Sequence, residues 1–221
     1  MTILTNEYEA EHTIIIEKIS KSFGEKRVLM DFSAKIKRGS ITALSGPSGV
    51  GKTTLLNIIG LLDNADIGKI YYYGDEIIKP FTKKASYYLR TKIGYLFQNF
   101  ALINEENVLY NLMISLEHSK LSKAEKLSQI DNALCSVGLQ GYENKKIYTC
   151  SGGEQQRIAI AGILLKENDL ILADEPTGSL DDANAQIILD LLLKMKSSGK
   201  TIVIVTHDNR IIDMADYNIR L

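Results

Sequence analysis

The chain has 221 residues, of which 45% are hydrophobic and 24% charged, and its formal net charge is −1. That length accommodates one large domain or a domain with an inserted lobe, and the near-neutral charge argues against broad nucleic-acid binding. The two cysteines, Cys135 and Cys150, form no C-x-x-C pair, which excludes a disulfide scaffold and a cysteine zinc site and fits a reducing compartment.

The acidic start, MTILTNEYEAEHT, lacks the apolar stretch of a signal peptide. The longest apolar runs, such as 55–62 (LLNIIGLL), fall well short of a membrane span, so membrane association is expected only through a partner. Residues 13–19 and 28–36 read as strands flanking a turn at Phe23 and Gly24, and 41–44 as a short buried strand. Residues 52–62 read as a helix launched from a glycine-rich loop. A strand at 69–73 leads into a turn at Gly74 and Asp75, then a helix at 83–92 and a strand at 93–97. From about 105 to 166 no strand pattern appears. Residues 108–116, 123–137 and 151–165 carry helical spacing instead, which predicts a helical lobe inserted in a mixed α/β body. The continuous apolar runs at 170–173 (LILA) and 201–205 (TIVIV) suit parallel strands covered on both faces, with a helix at 187–195 between them.

GPSGVGKT at 46–53 fits the phosphate-loop pattern and stands between a strand and a helix, as its mechanism requires. Gly46, Gly49 and Gly51 let backbone N–H groups wrap phosphate oxygens, Lys52 reaches the β- and γ-phosphates, and the Thr53 hydroxyl ligates Mg²⁺. LILADE ends a buried strand with two carboxylates. Asp174 is the candidate Mg²⁺ holder and Glu175 the candidate general base for water. Gln98 follows the strand at 93–97 and can meet both Mg²⁺ and the attacking water, although most glutamines are plain surface residues. His207 follows TIVIV at the same sheet edge as Asp174 if the strands are parallel, where an imidazole can bond the γ-phosphate. Phe23, in the turn between two early strands, either stacks on adenine or packs on the core. CSGGEQQR at 150–157 reads as a helix start with an unusually bare N-terminus, a second candidate anion site. A plain cap by Ser151 explains the serine but leaves the two glycines, which weaken a helix, without a reason.

GPSGVGKT, YLFQ, SGGEQQR, LILADEP, SLD at 179–181 and VTHD at 205–208, in that order, resemble the nucleotide-binding domain of ABC transporters over essentially the whole chain. The resemblance implies one domain over 1–221 with a P-loop NTPase fold. That fold is α/β, with a RecA-like core on a mainly parallel sheet, an antiparallel β lobe and an α-helical lobe inserted at about 99–166. It implies an Mg²⁺-dependent ATPase whose phosphate loop runs from Ser45 through Pro47 and Ser48 to Thr54. Phe23 sits where an adenine-stacking aromatic is expected, Gln98 where the ATP site meets the transport subunit, and Asp181 in the loop that links two ATP sites. Ser151, Gly152 and Gly153 would bind the γ-phosphate held by a second copy, so each copy completes its neighbour's site. The usual motif is LSGGQ. Here Cys150 replaces the leucine and Glu154 the glutamine.

SGGE, GLLD and ADEPTGSLD are similar to the MacB/LolD-type export ATPases, and YLFQNFALI to the bacteriocin-export group related to lactococcin exporters. Such a chain is expected on the cytoplasmic face of the cell membrane. It would pair with itself and with an integral permease to export a peptide, bacteriocin, antibiotic or lipoprotein, and would bind no nucleic acid. A cell-division ATPase of the FtsE kind, signalling without transport, and an importer ATPase are the alternatives. Lys52 and Ser151 lie only 99 positions apart with no sustained heptads between them, which argues against a chromosome-structuring ATPase.

Overall fold

The computed structural model describes residues 11–74 and 78–221. The elements in chain order are β1 (His12–Phe23), β2 (Lys26–Lys37), β3 (Ile41–Ser45), α1 (Lys52–Ile59), β4 (Ile67–Tyr72), α2 (Lys83–Thr91), β5 (Ile93–Leu96) and α3 (Val108–Ser115). They continue with α4 (Lys123–Ser136), a 3₁₀ turn (Ile147–Thr149), α5 (Gly152–Leu164), β6 (Leu170–Asp174), α6 (Asp182–Ser197), β7 (Thr201–Val205), α7 (Asn209–Met214) and β8 (Tyr217–Arg220).

The continuous apolar runs become central strands because both faces of their sheet are covered. β5, β6, β7, β3 and β8 lie side by side in that order, all parallel. Along β6, Leu170 and Leu172 enter one core with Leu55, Leu56 and Tyr72. Ile171 and Ala173 enter the other with Ile158, Ile188 and Leu192. Period-two alternation thus feeds two cores from one strand. Parallel strands also put all their C-terminal ends on one edge, so the residues following β3, β5, β6 and β7 share a rim.

A second sheet, β2-β1-β4, is antiparallel. It closes over α1 through Tyr72, whose buried hydroxyl donates to the Ile59 carbonyl at 2.6 Å, one of the last unpaired acceptors of that helix. α3, α4 and α5 pack on one another through Leu112, Ile130, Leu134 and Ile158. No described helix is long and apolar enough to cross a membrane.

Several boundaries differ from the pattern reading. β1 and β2 are longer, so Phe23 is the last residue of β1 rather than part of the turn. α1 stops at Ile59, not at 62, because Gly60 caps it and Leu61 takes a left-handed φ of 59°. β5 ends at Leu96, which moves Gln98 into the following turn. α6 begins at Asp182, earlier than the apolar spacing indicates, since its polar first turn is capped by Asp181. α7 and β8 had no pattern signal. β8 has four residues, three of them exposed, and owes its place to pairing with β3. The acidic start at 1–10 and Asp75 of the expected turn lie outside the described residues.

Candidate functional site

Ser45 closes β3 and its hydroxyl donates to Asn218 Oδ1 of β8 at 2.7 Å. The chain then turns through Gly46, Gly49 and Gly51, whose φ values of 141°, 78° and 107° favour glycine. Gly51 also needs to be small, since a Cβ there would lie 2.7 Å from Val28 Cγ1. Gly51 is the N-cap of α1 and brings no side-chain acceptor, so the first-turn N–H groups of α1 stay bare. Pro47, Ser48 and Gly49 are exposed, while Thr54 is half-buried. Lys52 is buried, and its ammonium donates to the Gly46 and Pro47 carbonyls, each at 2.9 Å.

At the end of β6, Asp174 Oδ1 accepts a hydrogen bond from Thr53 Oγ1 at 3.2 Å. Burial pushes the Asp174 carboxyl above its ordinary pKa and the nearby Glu175 charge adds to this, against the pull of the Thr53 hydroxyl and the Lys52 charge. Glu175 takes a left-handed φ of 47° and its N–H donates to the Val205 carbonyl at 2.9 Å. Its Oε1 lies 2.9 Å from His207 Nδ1, and its Oε2 accepts from the His207 backbone N–H at 3.4 Å. The Glu175 side chain is 15% exposed and that of His207 72%, so the pair spans from the rim to solvent. Gln98 is exposed, and with Thr53, Asn57, Tyr95 and Asp174 it lines a pocket of about 430 Å³. Phe23 is half exposed, and the Lys21 ammonium sits 5.0 Å from its ring centroid. The ammonium is itself fixed by Asp63 at 2.8 Å and the Asn64 carbonyl at 2.7 Å.

The start of α5 corrects the sequence reading, because it is not bare. Ser151 Oγ accepts from the Glu154 N–H at 3.3 Å, and Glu154 Oε2 accepts from the Ser151 N–H at 2.7 Å. This is a capping box, and its S-x-x-E spacing was visible in SGGE. Gly153 also has a reason within its own chain. A Cβ there would sit 2.5 Å from Asn184 Oδ1, so the glycine lets α5 approach α6. Asn184 in turn donates from its backbone and side chain to Asp181, both at 2.8 Å, and these bonds lower the Asp181 pKa. Ser151, Gly152, Gly153 and Asp181 therefore share one patch, with Ser151 and Gly152 exposed.

Other residues hold these loops, and the sequence reading gave none of them a role, although Gln156 and Asp208 stand within SGGEQQR and VTHD. Buried Gln156 donates to the Pro176 carbonyl at 3.1 Å, tying α5 to the segment after Glu175. Thr177 donates to Asp208 at 2.9 Å, tying that segment to the one after His207. Asp208 is held down to about 2, chiefly by hydrogen bonds from Arg210. Tyr142 and Lys145 grip Glu154 from the loop before the 3₁₀ turn.

The sequence profile of the ABC transporter family matches residues 29–178. The chain is 37% identical over 198 residues to the lipoprotein-releasing system ATP-binding protein LolD of Aquifex aeolicus, covering 90% of this chain and 88% of LolD. It is 36% identical over 214 residues to the macrolide export ATP-binding/permease protein MacB of Mannheimia succiniciproducens, covering 92% of this chain but only 33% of MacB. The chain thus spans about a third of the MacB relatives and nearly all of LolD. Among solved structures, the ATP-binding cassette MJ0796, a dimer in a post-hydrolysis state bound to ADP and Pi, superposes with a TM-score of 0.86 at 34% identity, over 94% of each chain. The glycine loop on a bare helix start, the carboxylates beside it and these relatives lead to one assignment: the chain belongs to the ABC transporter family, as an ATP-binding cassette with the P-loop NTPase fold and ATPase function of that family.

Proposed function

We propose that two copies of the chain bind two ATP molecules between them, head to tail, and couple their Mg²⁺-dependent hydrolysis to a membrane permease. The observation that carries this reading is the pairing of Thr53 with Asp174 and of Glu175 with His207 on one sheet edge, beside the bare start of α1. Thr53 and Asp174 offer two hard oxygens 3.2 Å apart, and no cluster of three or more His, Cys, Asp or Glu ligands exists among the described residues. Two protein oxygens plus phosphate oxygens suit Mg²⁺, which binds through few side chains and dehydrates reluctantly. Bound there with Gln98 near by, Mg²⁺ would neutralise phosphate charge as hydrolysis proceeds.

The chain's own groups do the rest. The N–H groups of Gly46 and 48–54 and the Lys52 ammonium hold the phosphates, and Phe23 stacks on adenine. Glu175 takes the proton of the attacking water. His207 holds the Glu175 carboxylate through Nδ1, and its bond to the γ-phosphate would need a ring N–H, given either by releasing Glu175 or by a second ring proton. Ser151 and the N–H groups of Gly152 and Gly153 meet the γ-phosphate of the second copy, where Asp181 lines the contact between the two sites. The dimeric state of MJ0796 supports this pairing.

Tyr110 and Ile114, one helical turn apart on α3, are exposed, as is Ile103. Buried Asn111 fixes residue 103 to α3 by accepting from the Ile103 N–H at 2.7 Å. This apolar face is the proposed seat of the permease, on the inner side of the cell membrane. The lipoprotein-releasing LolD and macrolide-exporting MacB relatives support export of a lipoprotein or an antibiotic, and the resemblance of YLFQNFALI extends the proposal to a peptide or bacteriocin. Glu175→Gln tests the core of the reading. It should keep ATP binding, lose hydrolysis, and accumulate an ATP-bound dimer on size exclusion. Hydrolysis at the wild-type rate would remove Glu175 as the base.

A further inference from the structure

Helix α5 carries an electrostatic problem. A carboxylate stands at the third position of α5, three residues from Ser151 and at the helix end proposed above to receive a γ-phosphate. Two anions facing one another across a drying interface repel strongly as the local dielectric falls. A helix N-terminus attracts phosphate only while its partial positive charge is not cancelled.

The surroundings of Glu154 answer that problem. Its Oε1 accepts from the Tyr142 hydroxyl at 2.6 Å, and its Oε2 from the Ser151 N–H at 2.7 Å. The Lys145 ammonium lies 3.2 Å from both oxygens and 4.3 Å from the Tyr142 ring centroid. The Glu154 side chain is 17% exposed and that of Lys145 33%. The acid is thus folded back onto the Ser151 N–H and the loop at 142–145, where Lys145 faces both of its oxygens.

We propose that Lys145 is a charge-compensating positioning residue for the trans phosphate site: it neutralises Glu154 so that an acidic capping box can serve an anion-binding helix start. This rests on the reading that Ser151 acts on the second copy's ATP. Lys145 touches no substrate in this scheme. Glu154 supplies the cap, Tyr142 orients it, and Lys145 removes the electrostatic penalty of using a carboxylate for the task. The need for Lys145 then exists only while residue 154 is an acid.

That dependence gives the test. Full-length chains in the hydrolysis-deficient Glu175→Gln background are titrated with Mg²⁺-ATP, and dimer closure is followed by crosslinking or light scattering. Lys145→Gln should raise the ATP concentration for half closure about tenfold, and Lys145→Arg should restore it. Glu154→Gln alone should change it little, since the amide oxygen can still cap the Ser151 N–H. The double variant Lys145→Gln/Glu154→Gln should return to within about twofold of the parent. A merely structural lysine would leave the double variant as impaired as Lys145→Gln, and that result overturns the proposal, as does a Lys145→Gln chain that closes like its parent. Ser151→Arg separates the two layers. Loss of closure there, together with a Lys145→Gln defect that Glu154→Gln does not rescue, overturns the charge argument alone, whereas normal closure of Ser151→Arg overturns the trans site and the charge argument with it.

Discussion

At the scale of single residues, Glu154 shows how a local signal carries two meanings. The SGGE stretch resembles a phosphate-binding signature and is also an S-x-x-E capping box. Burial alone would raise the Glu154 pKa. The bonds from Tyr142, the Ser151 N–H and Lys145 outweigh that and hold it at about 2, down from an ordinary 4.5. Because the folded value is the lower one, Glu154 stabilises the fold fully above pH 4.5, and this contribution is lost as pH falls from 4.5 to about 2. Wild type should therefore unfold at higher urea than Glu154→Gln near neutral pH, with the gap closing across that window. A gap that stays constant from neutral pH down to the lower end would show that the ionised carboxylate contributes nothing. Lys52 makes a simpler case. Its ammonium bridges two loop carbonyls, so Lys52→Ala should abolish ATP binding while costing little stability, as read by nucleotide titration and thermal melting.

At the scale of elements, Gly153 sets how closely α5 approaches α6. Adding a Cβ against Asn184 at 2.5 Å should cost about 1–3 kcal/mol, the usual range for overpacking. Gly153→Ala should lower the melting temperature, and adding Asn184→Ala should recover part of the loss. An unchanged melt for Gly153→Ala would mean that α5 shifts freely. This contact also marks where the sequence stops being legible. The strand runs LILA and TIVIV and the phosphate loop declare themselves, because burial on two faces and tight glycine turns leave local patterns. The Gly153–Asn184 contact, the Gln156–Pro176 bond and the Tyr142–Glu154–Lys145 cluster join residues 9 to 31 positions apart, on different elements, and no local period records them. β8 is hidden for a related reason. It is a short, mostly exposed strand whose position comes from pairing with β3, not from its own side chains. Gln98 and His207 were legible as residues at strand ends and Phe23 only as a turn residue, since where each strand ended had to come from the hydrogen-bond ladder.

At the scale of the whole molecule, the proposed function gives the chain two halves of an ATP site. One half is the rim of the parallel sheet, with the bare start of α1, Asp174, Glu175 and His207. The other is the exposed Ser151–Gly152 tip of α5, packed beside Asp181. The α3 face around Tyr110 and Ile114 is a third surface. Tyr110→Ser combined with Ile114→Ser should release the chain from membranes that hold its permease while leaving ATP binding intact. Retention on those membranes in a flotation assay would place the docking surface elsewhere.

The central claim is that each ATP site is built from two copies, and mixed dimers test it most directly. Pairing a Lys52→Ala copy with a Ser151→Arg copy puts both lesions in one composite site and leaves the other whole. Pairing a copy that carries both changes with a wild-type copy places one lesion in each composite site. With full-length, differently tagged chains and an ATP-dependent crosslink as the readout, the first dimer should close at its intact site and the second should not close. Closure of the second dimer alone would contradict the account, because it would mean that Ser151 serves the phosphate bound by its own chain.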